Sequence, residues 1–380
     1  MRLLVYGDYV YHLEDGQLSA EVSFALFAAR LRNRFDRLVM IGRESPSAEL
    51  TPYACGEGVE FVALPYYESL VNPLAVARAA GRSLTRFWRT LARVDVVWLL
   101  GPHPLAVVFA LIAAARGKRV VLGVRQDLPA YVRNRRAGSQ AMVAAASVLE
   151  AAFRLLARRL AVVVVGPELA RRYRGARALL EITVSLIDTQ DVVSAEAAAA
   201  RSYEGELRLI CVGRLDAEKN PVLIADVFRR LVDGGRPWRL IVCGDGALRT
   251  ELEDRLRDLG VAERAELLGY VPYGPRLTEL YRSSHALLHT SWTEGLPQVL
   301  VEAFAAGVPV VATDVGGIRD AVGEAALLVP PGDAEAAATE LQEIAADEGL
   351  RRRLIEAGHE YVSGRTAAAE IDRLANFLRR

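Results

Sequence analysis

The stretch His289–Thr313, HTSWTEGLPQVLVEAFAAGVPVVAT, contains the end of one strand, a loop, a helix and most of a second strand. The apolar run His285–Ser291 predicts the first strand, and Pro309–Asp314 predicts the second. A Gly-Leu-Pro turn between them precedes an apolar helical pattern. Nearly continuous apolar strands joined through a helix are typical of a parallel sheet that is covered on both faces.

The same alternation of strands and helices extends over the whole chain. The predicted strands of the first half are Arg2–Gly7, Arg37–Gly42, Val59–Pro65, Asp95–Gly101, Arg119–Arg125 and Val162–Gly166. The other predicted strands of the second half are Leu207–Gly213, Trp238–Gly244 and Ala265–Val271. Helical patterns between strands of the first half include Gln17–Arg34, Pro73–Val94 and Ser139–Leu160. This order predicts the α/β class, with two doubly wound, Rossmann-like domains in tandem.

The domain boundaries follow from where the pattern restarts. Residues 1–190 are predicted as the first domain and residues 191–364 as the second, with the polar, Ala-rich segment Thr189–Gly205 as the linker. A final helix over about residues 365–380 is predicted to pack back on the first domain.

Composition limits the class of protein. The chain has 380 residues, of which 52% are hydrophobic and 25% charged, and its formal net charge is zero, so it is globular and gives no sign of nucleic-acid binding. Three scattered cysteines form neither a disulfide framework nor a metal-binding spacing. The longest apolar run, Pro104–Ala115, is too short to span a bilayer, and no signal-peptide pattern is present. These features predict a cytoplasmic enzyme.

Two cations lie five residues apart in the loop VGRLDAEKNP, Val212–Pro221. Lys219 is one of only two lysines among 47 basic residues, so its retention in an Arg-rich chain is informative. A guanidinium from Arg214 and an ammonium from Lys219 together suit a diphosphate. A solvated charged loop is the alternative.

Two carboxylates bracket the start of the helix in the opening stretch. Glu294 lies just before the helix, where it suits the hydroxyls of a sugar, and the free N–H groups of the helix start attract phosphate. Glu302 lies among apolar neighbours, where an acid is costly unless a partner such as a ribose diol satisfies it. The alternatives are that Glu294 caps the helix and that Glu302 is a surface residue.

Three motifs taken together resemble the donor-binding domain of retaining GT-B glycosyltransferases of family 4, the glycosyl transferases group 1. They are G-R-L-x-x-x-K-N, G-D-G and E-G-L-P-Q-V-L-V-E with seven residues between the glutamates, within about Leu207–Pro331. The resemblance implies a GT-B fold, in which two Rossmann-like domains face each other across a cleft, and a nucleotide-sugar donor. It implies catalytic roles for Arg214, Lys219, Glu294 and Asp127. The donor-binding residues that it implies are Gly16, Gly213, Gly244, Tyr270, Val271, Gly295, Leu296 and Glu302.

The first half departs from the family pattern. Gly16, in Glu14–Gln17, is the candidate for the glycine that meets the phosphates at a helix start, although two acids flank it. Asp127 takes the acidic position of a His-Asp pair, but Gln126 stands where the family has histidine. His103 is a candidate substitute, and an ordinary polar loop residue is the alternative.

The function implied is transfer of a hexose-type sugar from a UDP- or GDP-sugar to an acceptor hydroxyl with retention, the departing phosphate taking the acceptor's proton. No D-x-D motif occurs, so no metal and no cofactor are expected. The acceptor is a small molecule, a glycan or a lipid-linked sugar. The rival functions are a nucleotide-sugar 2-epimerase and a non-catalytic nucleotide-sugar binding protein.

Arginines of the first domain, to which the resemblance assigns acceptor binding, also raise the hypothesis of peripheral contact with the anionic inner face of a membrane. These arginines are Arg133, Arg135, Arg136, Arg154, Arg158, Arg159, Arg171, Arg172, Arg174 and Arg177. A merely solvated arginine face is the alternative.

Overall fold

The computed structural model describes residues 1–45, 53–67, 73–135 and 139–380. The chain divides into two units. The first consists of Met1–Val132, Gly138–Leu186 and Ala368–Arg380, and the second of Arg133–Ala137 and Ile187–Ala367. The main boundaries therefore lie at 186/187 and 367/368, against the predicted 190/191 and 364/365.

The first unit is built on a mixed sheet. Its strands in the described part are β1 (Arg2–Glu14), β2 (Gln17–Ala20), β3 (Arg37–Glu44), β4 (Tyr53–Gly56), β5 (Glu60–Leu64), β6 (Val96–Gly101), β7 (Arg119–Val124), β8 (Ala161–Val165) and β9 (Ala178–Ile182). Seven of them pair in parallel in the order β5-β3-β1-β6-β7-β8-β9. The central strands are buried along almost their whole length, as their continuous apolar sequences predict.

The second unit has an entirely parallel sheet. Its strands are β10 (Leu207–Val212), β11 (Trp238–Cys243), β12 (Ala265–Gly269), β13 (Ala286–His289), β14 (Val310–Thr313) and β15 (Ala326–Val329). They run in the order β12-β11-β10-β13-β14-β15, which is the order of a Rossmann sheet. The predicted doubly wound α/β class is confirmed.

Helices connect the strands in both units. The described helices are α1 (Phe24–Ala29), α2 (Pro73–Leu91), α3 (Pro104–Ala115), α4 (Leu128–Arg135), α5 (Gln140–Ala157), α6 (Pro167–Arg172), α7 (Ala195–Ala199), α8 (Val222–Asp233), α9 (Arg249–Asp258), α10 (Pro275–Arg282), α11 (Gln298–Ala305), α12 (Ile318–Val322), α13 (Ala334–Ala346), α14 (Glu348–Ser363) and α15 (Ala367–Arg379). By length and composition, α5 is the one helix in these ranges that could cross a membrane.

The predicted helix over Gln17–Arg34 is wrong in its first part. Residues Gln17–Ala20 form β2, which pairs antiparallel with the end of β1 and with β4. Asp15 and Gly16 form the connecting turn with φ angles of 49° and 80°, the backbone that an Asp-Gly hairpin turn requires. Helix begins only at Phe24.

The segment predicted as a linker, Thr189–Gly205, folds onto the second unit. Helix α7 packs against α14, and the Val193 N–H donates to the Ala305 carbonyl at 2.8 Å. The Arg201 guanidinium donates to the Gly307 carbonyl at 2.9 Å.

The last helix belongs to the first unit. In α15, the Arg373 guanidinium donates to the Glu181 carbonyl at 2.9 Å, and the buried Glu370 carboxylate accepts from the Thr183 N–H at 3.3 Å. Arg119 donates to the Phe377 and Leu378 carbonyls at the end of the helix.

Candidate functional site

The second sheet reverses its winding between β10 and β13. In a Rossmann sheet, ligands bind at this point, outside the carboxyl ends of the strands. The loop after β10 carries Lys219, and the loop after β13 carries Glu294. Two hydrogen bonds join these loops: the Thr290 hydroxyl donates to the Lys219 carbonyl at 2.8 Å, and the Trp292 N–H donates to the Glu218 carbonyl at 2.9 Å.

The two loops bring Lys219 and Glu294 into a direct ion pair. The carboxylate of Glu294 also lies 3.0 Å from His289 Nε2 and accepts from the Ser291 hydroxyl at 2.8 Å. Burial alone would raise the pKa of Glu294, but the Lys219 ammonium and the hydrogen bond from His289 outweigh it and hold the pKa well below its usual range. Glu294 is therefore a fixed anion at neutral pH.

The two oxygens of Glu294 differ. Lys219, His289 and Ser291 all contact Oε1. Within the ranges that the structure describes, no residue donates a hydrogen bond to Oε2, and this oxygen is not sealed from solvent. The carboxylate is thus held in position through one oxygen while the other remains able to accept from a ligand hydroxyl. Glu294 makes no capping bond to α11, whose N-cap residue, Pro297, has no side-chain cap either, so the capping alternative is wrong.

Arg214 is exposed and forms ion pairs with Asp216 and Glu218, the latter with 2.6 Å between Nη2 and Oε1. Glu218 is buried and keeps the guanidinium close to the end of β10. A guanidinium has five N–H donors, so two carboxylates leave part of the fork free for a phosphate.

Gly213 and Gly244 end the neighbouring strands β10 and β11, where their backbones approach closely. A Cβ built on Gly244 would lie 1.8 Å from the Gly213 carbonyl oxygen. The Gly213 N–H donates to the Cys243 carbonyl at 3.0 Å, and the Gly244 N–H to the Gly269 carbonyl at 2.7 Å. Position 244 therefore has no room for a side chain at the edge where these three strand ends meet.

Glu302 lies apart from the Lys219–Glu294 pair, in a groove between α10 and α11. The Tyr281 hydroxyl donates to its Oε2 at 2.8 Å. Burial raises the pKa of Glu302 to about 7, although the Tyr281 hydrogen bond acts in the opposite direction. Ile187 and Tyr273 also line the groove. Because Glu302 is partly buried, the alternative of a plain surface residue is wrong.

The residues predicted near the nucleobase and the phosphates follow strands β12 and β13, at the carboxyl edge of the second sheet. Tyr270 is 40% exposed just beyond β12, whereas Val271 is buried in the core, so only its backbone is available to a ligand. Tyr273 of the Glu302 groove follows Tyr270 by three residues. Gly295 and Leu296 are partly buried between Glu294 and α11.

In the first unit, Gly16 and Asp127 have surroundings that the sequence does not predict. The expectation that Gly16 begins a helix is wrong, because it lies exposed in the β1–β2 turn, so no helix N-terminus is there to attract phosphate. Asp127 accepts from the Ala130 N–H at 3.1 Å and thereby caps α4. It also pairs with Arg172 at 2.7 Å, so its catalytic role stays a prediction.

His103 is not an ordinary loop residue. It is buried at the end of β6, where its Nδ1 accepts from the Leu105 N–H at 3.2 Å and lies 3.0 Å from the Tyr6 hydroxyl. Its Nε2 lies 3.2 Å from Asp8 Oδ2. Because Nδ1 accepts a backbone N–H, the proton is on Nε2 and points to Asp8.

His289 and Ser291 are partners of Glu294 that the sequence motifs do not indicate. Both lie in the stretch His289–Thr313. The signal for them in the sequence is a histidine at the end of a strand that is apolar and, in the structure, fully buried. Within the described ranges, no three His, Cys, Asp or Glu side chains converge in the manner of a metal site.

Residues 193–361, which form most of the second unit, match the family described as Glycosyl transferases group 1. The second unit belongs to this family. The predicted resemblance to the glycosyl transferases group 1 is therefore confirmed over the part of the chain that carries Arg214, Lys219, Glu294 and Glu302.

Curated relatives of this glycosyltransferase unit match over part of their length. The chain is similar to "Exopolysaccharide phosphotransferase SCO2592" of Streptomyces coelicolor, with 37% identity over 39% of this chain and 16% of that protein. It is similar to "D-inositol 3-phosphate glycosyltransferase" of Kribbella flavida, with 32% identity over 57% of this chain and 54% of that protein. The chain thus spans about half or less of the curated relatives that it matches.

A solved structure matches this chain over its whole length. It is that of Anabaena Alr3699/HepE in complex with UDP, with a TM-score of 0.71, 18% identity and coverage of 100% of both chains. The fold is that of the GT-B glycosyltransferases, as predicted.

Proposed function

We propose that the protein is a retaining glycosyltransferase of family 4 that transfers a hexose-type sugar from a UDP- or GDP-sugar to an acceptor hydroxyl. The observation that carries the proposal is the arrangement at Glu294, where three donors hold one oxygen and leave the other open beside Lys219. A fixed acceptor for a sugar hydroxyl next to a fixed cation for a phosphate is what a sugar diphosphate requires.

The chemistry follows from the charges of this edge. Departure of the nucleoside diphosphate builds negative charge on the leaving oxygen. The Lys219 ammonium has three donors, of which Glu294 takes one, so the others can stabilise that charge. Arg214 supplies further donors. No metal or cofactor is included in the proposal, since the cations of the chain supply the positive charge.

Glu302 is proposed to accept from the ribose diol. The raised pKa of this carboxyl reflects a desolvated oxygen that lacks enough donors, and two hydroxyls would supply them. The base is placed beside Tyr270 and the backbone of Val271, and the phosphates beside Gly213, Gly244, Gly295 and Leu296. Asp127 is proposed as an acidic group on the acceptor side, with Arg172 as its counter-ion.

Other proteins of this fold support the UDP-sugar alternative for the donor, whereas the GDP-sugar alternative and the glycan or lipid-linked acceptor rest on the resemblance of the sequence. The Anabaena protein has been solved with UDP and glucose. The Kribbella relative is named as a D-inositol 3-phosphate glycosyltransferase, which supports transfer to a hydroxyl of a small molecule. A cytoplasmic location is proposed with this function, since nucleotide sugars are the donors.

Purified protein should be incubated with UDP- and GDP-hexoses and a panel of hydroxyl acceptors, and the anomeric configuration of the product should be read by NMR. Transfer with retention supports the proposal. Conversion of the free donor to its 2-epimer would identify the rival epimerase, and donor binding without turnover for any acceptor would identify a binding protein.

A further inference from the structure

The outer helical layer of the first unit combines strong positive charge with exposed apolar side chains. Helix α3 packs against both α2 and α5, so the three helices cover one face of the first sheet. Over residues 73–160 the sequence has fifteen arginines and lysines and only three carboxylates, although the net charge of the whole chain is zero. The region therefore has a net charge of +12, mainly because it contains so few carboxylates.

None of the three carboxylates is free to neutralise the outer surface of the layer. Asp95 pairs with Arg2 at 2.7 Å, and Asp127 pairs with Arg172 at 2.7 Å. Glu150 is buried and accepts from the Tyr173 hydroxyl at 2.9 Å.

Several exposed cations of this layer have no carboxylate partner in the described part of the chain, although Arg93 lies 3.9 Å from Glu60. No carboxylate among the residues that the structure describes forms an ion pair with five exposed arginines of α2 and of α5 and its C-terminal end. These are Arg82, Arg89, Arg154, Arg158 and Arg159. Arg136 and the side chain of Arg135 lie outside the described part.

Large apolar side chains are exposed on the same three helices. Val148 and Leu155 of α5 are 71% and 64% exposed and lie two helical turns apart, on one side of the helix. Trp88 of α2 is 49% exposed, and Leu111 of α3 is 56% exposed. The Arg116 guanidinium lies over the Trp88 ring, with 4.1 Å between its Cζ and the ring centroid. Apolar side chains beside unpaired arginines form an amphipathic, cationic surface.

The geometry points to this α2–α3–α5 surface as the site at which the protein docks on an anionic lipid bilayer. Val148, Leu155, Leu111 and Trp88 enter the headgroup region, and the arginines contact lipid phosphates. This surface does not include all the arginines that the sequence suggests for membrane contact, because Arg172 of that set is paired with Asp127.

Helix α5 lies on the bilayer and does not cross it. The side chains of Phe153 and Ala157 are buried in the first unit, where Phe153 packs in the core of the sheet. A spanning helix would have to leave that core. A second copy of the chain is the less favourable occupant, because two identical faces would bring like charges together.

Flotation of the full-length protein with phosphatidylcholine vesicles, with and without phosphatidylglycerol, tests the proposal without donor or acceptor, so its failure is independent of the proposed transfer. Binding is expected only to the anionic vesicles, and it should weaken as salt rises. The variant R154E/R158E/R159E should bind at least a hundredfold more weakly, since each arginine near a charged bilayer contributes roughly fivefold. V148S/L155S should also lose binding.

The matched control is R236E/R264E, which reverses two exposed arginines of the second unit and should bind like the unaltered protein. All substituted side chains are exposed, and circular dichroism checks that each variant is folded. Equal binding of the triple variant and the control would overturn the proposal. Three other outcomes would also overturn it. Binding that resists high-salt extraction would indicate a spanning helix, and a dimer that V148S/L155S dissociates would indicate a second copy of the chain on this surface. Binding that depends on the arginines but not on Val148 and Leu155 would indicate a soluble polyanion.

Discussion

The ion pair between Lys219 and Glu294 is expected to contribute a measurable coupling to the free energy of unfolding. The side chain of Glu294 is 11% exposed and that of Lys219 is 26% exposed. Removing one partner of a fully buried pair costs about 3–5 kcal/mol, because it leaves an uncompensated charge. Glu294 retains His289 and Ser291, and Lys219 is partly hydrated, so we expect about 2 kcal/mol for Lys219→Met.

A double-mutant cycle isolates this coupling. Urea unfolding should be measured for the unaltered protein, Lys219→Met, Glu294→Gln and the double variant. The double variant should be about 2 kcal/mol more stable than the sum of the two single losses predicts. A coupling energy below about 0.5 kcal/mol would refute the electrostatic account of the pair.

The same variants separate the role in catalysis from the role in stability. Lys219→Met should lower kcat by about a hundredfold to a thousandfold, the usual loss when one stabilising group of a developing anion is removed. Adding Glu294→Gln should restore part of the stability but none of the activity. Near-normal transfer by Lys219→Met would contradict the role assigned to the ammonium.

Three further predictions concern single residues of the second unit. The pKa of Glu302 is about 7 in the folded state against 4.5 for the free group, so the stability that protonated Glu302 contributes is complete below pH 4.5 and is lost as the pH rises through 7. Glu302→Gln should therefore match the unaltered protein near pH 4 and exceed it by up to about 3 kcal/mol near pH 8.5 in pH-resolved unfolding, while binding nucleotide more weakly; no pH-dependent difference would contradict the raised pKa. Gly244→Ala should lower stability by at least about 3 kcal/mol in thermal unfolding, because the new Cβ meets the Gly213 carbonyl, whereas Gly175→Ala has open space and should change it little; similar melting of the two variants would count against the close approach. His289→Ala should reduce transfer about tenfold to a hundredfold, with a smaller change in stability than Lys219→Met, because it loosens Glu294 without removing the cation. Unchanged steady-state kinetics would show that His289 has no such positioning role.

The sequence predicts the fold well where burial decides it. Strands such as β6 and β13 are apolar throughout and buried throughout, so their composition alone indicates a covered sheet. The hairpin of β1 and β2 was missed, although its Asp15-Gly16 turn was visible in the sequence. Its strand Gln17–Ala20 gains its partner β4 from a distant part of the chain, which local periodicity does not reveal.

The candidate site was predictable in its charged residues but not in its partners. Spacing indicated Lys219 and Glu294 separately, but their pairing depends on strand order, because 75 positions separate them. The close approach of Gly244 to Gly213 also arises from the packing of two strand ends. His289 and Ser291 were overlooked since neither belongs to a recognisable motif.

The edge formed by the loops after β10 and β13 is proposed to bind the diphosphate of a sugar nucleotide. Isothermal titration of UDP and GDP against uridine and guanosine, with the unaltered protein and with Lys219→Met, tests it most directly. At least one of the two diphosphates should bind at least tenfold more tightly than its nucleoside, and Lys219→Met should remove most of this difference while leaving nucleoside binding unchanged. Diphosphate binding that is unaffected by Lys219→Met, or no preference for either diphosphate over its nucleoside, would contradict it.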